Sequence, residues 1–135
     1  MSMGCGAVCR KVSTDSQSVL YEYYAYNLNE EPLRNPNKIY DGTIFIQTAC
    51  LVEPDIHIKL KRMPNGRKKI IEKRIPVEMD LSEHMSSGSI EITNSSHAWH
   101  FDSDGIDSMA ILLCRKMIRE YQESGDLPDS CGYHM

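Results

Sequence analysis

Residues 104–125 constrain the fold of this chain more than any other stretch. Ile106, Met109, Ala110, Leu113, Cys114, Met117, Ile118 and Tyr121 recur at three- and four-residue steps, which lines them up as one apolar stripe along an α-helix. Asp104 or Asp107 can accept bonds from the free N–H groups of the first turn, and Gly125 followed by Pro128 supplies a left-handed cap and a breaker. A stripe of this width needs something to cover. Nearly everything upstream reads as strands, so the covered element is a sheet.

The strand signals run in order. Ser18 to Tyr26 is dominated by aromatic and β-branched residues and is expected to be a strand with few polar positions. Residues 27–38, with Pro32 and Pro36, read as a long exposed loop. Residues 43–52 are apolar on nearly both faces, as in a central strand, and Glu53-Pro54 stops them. Residues 55–63 alternate, with Ile56, Ile58 and Leu60 on one face and His57, Lys59 and Lys61 on the other. Asn65-Gly66 is a strong hairpin signal, because both residue types accept positive φ at little cost. The return strand is expected over 67–77, with Ile71, Ile75 and Val77 sharing a face. A polar connection over 80–88, with one helical turn near Leu81, leads to two short strands at 89–93 and 97–101. Residues 1–17, rich in Gly, Ser and Thr, read as a loose arm or a short edge strand, and 127–135 as a tail.

The expected fold is therefore α+β: one domain over 1–135, an antiparallel meander sheet of five to six strands, with one C-terminal amphipathic helix packed on one face. A length of 135 residues suits one core. No apolar run approaches the roughly 18 residues of a membrane span, and no secretory pattern opens the sequence. The expectation is a cytoplasmic protein without a membrane partner. Five cysteines, two of them inside predicted apolar elements, argue against a disulfide framework.

The net charge of −4 hides an asymmetry. Lys59, Lys61, Arg62, Arg67, Lys68, Lys69, Lys73 and Arg74 are eight of the 15 basic residues, with Glu72 the one acid among them. That leaves seven basic and eighteen acidic residues elsewhere. Lysines on an exposed hairpin commonly serve only to keep it from pairing with copies of itself. As a contact surface, the hairpin suits an acidic partner. It has no interleaved aromatics on which bases would stack, so nucleic acid is an unlikely partner and protein the favoured one. The candidate binding residues are Arg62, Asn65, Arg67, Lys68 and Lys69 at the hairpin tip. For a partner with a basic cleft, Glu30 and Glu31 of the exposed loop, with Asp80 and Glu83 around the polar turn, are the candidates instead.

No nucleophile elbow, phosphate loop, zinc-protease helix or dinucleotide fingerprint is present, so no catalytic residue is assigned and a non-enzymatic role is expected. No cofactor is assigned either. Cys5, Cys9, Cys131 and His134 have spacing that allows a tetrahedral zinc site if the two ends meet, which leaves that question to the fold. His97 and His100 would face opposite sides of a strand. Asp102, Asp104 and Asp107 suit the start of a helix as caps. The tyrosines at 21, 23, 24 and 26 fit a strand packed on both faces or a face open to a partner.

Asp104-Gly-Ile-Asp-Ser-Met-Ala-Ile-Leu-Leu, leading into an amphipathic C-terminal helix after a run of strands, resembles the end of small bacterial domains found among immunity proteins of contact-dependent inhibition and other polymorphic toxin systems. The resemblance covers about a sixth of the chain. It implies a cytosolic, non-enzymatic protein that binds one cognate toxin domain and occludes its active site, and it supplies no site residues. The alternatives are a nucleic-acid-binding accessory protein, or a metal-binding or enzymatic domain with a site assembled from distant residues. The oligomeric state is not legible.

Overall fold

The computed structural model describes residues 3–135. Seven strands and two α-helices follow one another as β1 (Cys5–Thr14), β2 (Ser18–Asn27), β3 (Gly42–Gln47), β4 (Asp55–Arg62), β5 (Lys68–Ile75), α1 (Leu81–Ser87), β6 (Ile90–Thr93), α2 (Ser108–Ser124) and β7 (Ser130–His134). Five strands form one antiparallel sheet in the order β6-β3-β2-β1-β7, while β4 and β5 form a separate two-stranded sheet. The class is α+β with the C-terminal helix on one sheet face, as expected. The meander holds only for β1-β2-β3. Because β6 lies at one edge and β7 at the other, α2 carries the chain across the full width of the sheet.

The stripe on α2 behaves as its spacing requires. Met109, Ala110, Leu113, Cys114, Met117 and Ile118 are buried against Ala7, Cys9, Tyr21, Tyr23, Ile44, Ile46 and Ile90 from the sheet. Asp107 is the N-cap, accepting from the Met109 N–H at 3.0 Å, and Gly125 at φ 92 closes the helix with a bond to the Tyr121 carbonyl. Burial holds the Cys114 thiol neutral, its pKa pushed up to about 12.

Two terminal segments are more ordered than expected. Residues 1–17 contain a strand, β1, as one of the two readings allowed, but it is ten residues long and lies inside the sheet, and the 127–135 tail contains the edge strand β7, which pairs with it. Ala7 and Cys9 join the core beneath the helix, and Cys5 is buried on the same strand, so the buried part of β1 is written in small residues. The strand expected over 97–101 does not form. Ser95 and Ser96 instead bond the Asp41 carboxylate, which turns the chain, and Phe101 keeps one isolated bridge to Asp107. The 43–52 strand is shorter than expected, giving way at Thr48 to a 3-10 turn.

The sheet face away from α2 is partly covered by residues 28–41. Asn35, buried at φ 50, bonds the Ala25 carbonyl and the Ile39 N–H and so pins this segment to β2. Tyr40 meets Tyr24 edge-on at 4.8 Å, and the Arg10 guanidinium sits 3.8 Å from the centre of the Tyr40 ring. The tyrosine strand is thus packed on both faces.

Gly42 pairs with Tyr23 across β2 and β3, and the Tyr23 ring occupies the space where a β-carbon at position 42 would stand. Gly42→Ala is expected to cost about 1–3 kcal/mol through overpacking. Urea titration checks this, and an unchanged midpoint would mean that the ring can move aside.

A basic aliphatic finger as the candidate functional site

The hairpin is detached from the sheet that carries the core. Every residue of β4 is exposed, and the eight-residue strands give a finger about 25 Å long. Its tip is built by local chemistry. Gly66 donates to the Met63 carbonyl at 3.0 Å, Met63 to the Arg67 carbonyl at 2.7 Å, and the Asn65 side chain accepts from the Arg67 N–H at 3.0 Å. Only Gly66 has positive φ within this loop. The loop therefore has three residues, Pro64, Asn65 and Gly66, as the expected strand ends at Met63 and Arg67 imply. Pro64, with its ring-fixed negative φ, suits the first part of a turn and leaves the left-handed position to Gly66.

Register decides which side chains share a face. Ile56 pairs with Arg74, Ile58 with Glu72, Leu60 with Ile70, and on the other face His57 pairs with Lys73, Lys59 with Ile71, Lys61 with Lys69. The alternation in β4 holds, but Ile71 and Ile75 lie on its basic face, so the apolar residues of the two strands do not form one common side. Nor is the aliphatic face covered by the body. Ile56, Ile58, Leu60 and Ile70 are 51%, 69%, 66% and 67% exposed, contrary to the expectation that these two strands belong to the sheet covered by the C-terminal helix.

The base of the finger is gripped by α2. Gln122, 1% exposed, exchanges bonds with Val77, its Oε1 accepting from the Val77 N–H at 2.7 Å and its Nε2 donating to the Val77 carbonyl at 2.8 Å. Arg74 Nε donates to the Gln122 carbonyl at 2.8 Å. Sequence reasoning missed Gln122; the available signal was an amide four residues beyond Ile118, in register with the apolar stripe. A cleft of about 480 Å³ adjoins this junction, with Val77, Met79, Leu81 and Ile118 among its apolar lining and Arg115 and Arg119 among its charged lining.

Arg62, Asn65, Arg67, Lys68 and Lys69 are thus brought together at an exposed tip. Among the described residues none of the eight finger cations makes an ion pair, whereas Arg10, Lys11, Arg34 and Arg119 do. Glu30 and Glu31 stand elsewhere, at a 3-10 turn that contacts β2, with Glu31 3.8 Å from Arg34. The tip and the acidic pair do not form one site.

The two ends of the chain do meet, but they do not assemble the four metal-type ligands. Cys9 and Cys131 are opposite each other, while Cys5 lies four residues along the strand from Cys9, too far for one ion at roughly 3.3 Å per residue. His134 bonds the Tyr26 hydroxyl at 2.6 Å, on the strand face opposite to Cys131 by an odd step. All five cysteines are free thiols. The bond with Cys131, together with burial, pushes the Cys9 thiol up.

A second polar cluster lies at the start of α2. The Tyr23 hydroxyl donates to Asp107 Oδ2 at 2.8 Å and accepts from the Ser95 N–H at 2.8 Å, while Asn94 accepts from the Asp107 N–H at 2.8 Å. Burial raises the Asp107 carboxyl above its ordinary value, against the pull of the Tyr23 and backbone bonds, and burial followed by the Asp107 charge keeps Tyr23 a phenol. Each of these bonds has a structural account in capping the helix and joining it to β2.

No protein-family model matches the chain, and no curated protein and no solved structure matches it. No helix among the described residues is long and apolar enough to cross a membrane.

Proposed function

We propose that the protein is a non-enzymatic protein-binding module that works through the finger, and specifically an immunity protein that neutralises a cognate toxin domain by occluding its active site. One observation carries the reading: eight cations that make no ion pair among the described residues, and four exposed aliphatic residues, are concentrated on a projection from an otherwise acidic body. Arginine forks at the tip suit carboxylates, and buried aliphatic area supplies affinity once the charges have steered the encounter. The partner is acidic at the contact.

The test is simultaneous charge reversal of Arg62, Arg67 and Lys68, with binding to the toxin domain encoded beside this gene measured at low and high salt. Affinity should fall by roughly tenfold or more at low salt, with a smaller difference at high salt. If affinity and salt dependence are unchanged while Glu30→Lys with Glu31→Lys weakens binding, the contact lies on the acidic loop and the partner presents a basic cleft. No binding to any neighbouring toxin domain removes the immunity reading.

A further inference from the structure

We infer that the outer edge of β4 is a docking strand, which takes up an extended antiparallel segment of an acidic partner whose residues alternate aliphatic and carboxylate. The inference rests on the finger being the contact surface and specifies how it makes contact.

Backbone geometry carries the first step. The Met63 N–H bonds the Arg67 carbonyl, and antiparallel ladders alternate bonded and non-bonded pairs. Positions 61, 59 and 57 therefore direct their N–H and C=O groups at β5. Ile56, Ile58, Leu60 and Arg62 direct theirs outward, and among the described residues β4 has no other strand beside it. An isolated two-stranded ribbon is marginal in water, and a third strand is the usual remedy.

Side chains carry the second step. The outward-directed backbone belongs to the residues of the aliphatic face, while His57, Lys59 and Lys61 project from the other. A residue that bonds to Ile58 or Leu60 in an antiparallel pair shares their face, and its neighbours fall beside the lysines. The complementary strand is aliphatic at bonded positions and acidic between them. A one-residue slip would put carboxylates on isoleucine and aliphatic groups on lysine, so the register is specified. A second copy of β4 fits badly, because edge pairing would set Lys59 and Lys61 against the same residues of its partner. The β5 edge is less suited, since Ile70, Glu72 and Arg74 mix three chemistries on one face.

The probe is an eight-residue peptide alternating valine and glutamate, the length of β4, titrated against the intact protein by fluorescence anisotropy. It should bind about tenfold or more tightly than a peptide of the same composition in two blocks. N-methylation of the valine amides should abolish that advantage, and N-methylation of the glutamate amides should leave it. Ile58→Lys should also remove it. Equal binding of the alternating and block peptides, or indifference to valine methylation, overturns strand addition. If the charge reversal at Arg62, Arg67 and Lys68 still weakens toxin binding in that case, the protein-binding reading stands without it; if both fail, both fall. A protein that sediments as a dimer on its own and loses the dimer on Ile58→Lys has a second copy on that edge, which likewise overturns the inference.

Discussion

Leu113→Ala is expected to destabilise the protein by about 2–5 kcal/mol, because the side chain is wholly buried where α2 crosses the sheet. Its neighbours in the stripe, Met109, Ala110, Met117 and Cys114, face the same strands, and a rigid sheet cannot close on the space left. Urea unfolding of the two proteins checks the value. A loss below about 1 kcal/mol would mean that the core tolerates the void by collapse, and that α2 contributes little to holding β1, β2 and β7 together.

The second large effect is expected at Asp107. Asp107→Ala removes the cap of α2 and leaves the buried Tyr23 hydroxyl without its acceptor, for a combined loss of about 2–4 kcal/mol from capping and from an unsatisfied polar group. The charge also gives a pH signature. An acid whose folded pKa is raised binds more protons in the folded than in the unfolded chain across the interval between the two values. Stability therefore falls as pH rises from the ordinary carboxylate range through the raised value. Asp15 is lowered by the Gln17 and Ser18 N–H groups, and Asp41 is lowered because its Ser96 and Ser95 bonds outweigh desolvation. Those two act in the opposite sense, their stabilisation being lost as pH falls. Asp107→Asn isolates the first effect: whatever the amide costs does not titrate, so the difference between wild type and variant should shift in the amide's favour as pH rises through that interval. A difference independent of pH would mean that Asp107 ionises as easily as an exposed acid.

How much of this was legible follows from what each stretch of chain encodes. The helix was readable because its stripe, its Asp107 cap and its Gly125 stop all agree. β1 was obscured because its inward positions are Cys5, Ala7 and Cys9 and its intervening residues include Gly6, so hydrophobicity scarcely alternates, and Cys5, Gly6 and Ala7 are buried in succession. The hairpin was found with nearly correct ends, yet its detachment was hidden. Alternation at Ile56, Ile58 and Leu60 reports two chemically different faces and says nothing of whether either is covered. The clustering of cations at the tip was visible in sequence. The hold of Gln122 on the base depends on contacts between residues 45 and 48 positions apart, which no local pattern records.

The pairing of β1 with β7 also sets an order of events in folding. Cys9 meets Cys131 across a sequence separation of more than a hundred residues, so the largest loop in the molecule closes when this edge forms. High contact order slows folding, and the β4–β5 ribbon, joined by three loop residues, can form far sooner. During synthesis β1 emerges before the other strands of its sheet and waits with one edge unpaired until β7 arrives. The polar, small-residue character of that strand is then a safeguard for the growing chain as well as a fit to the finished sheet, since a more hydrophobic β1 would offer newly made copies an edge on which to aggregate.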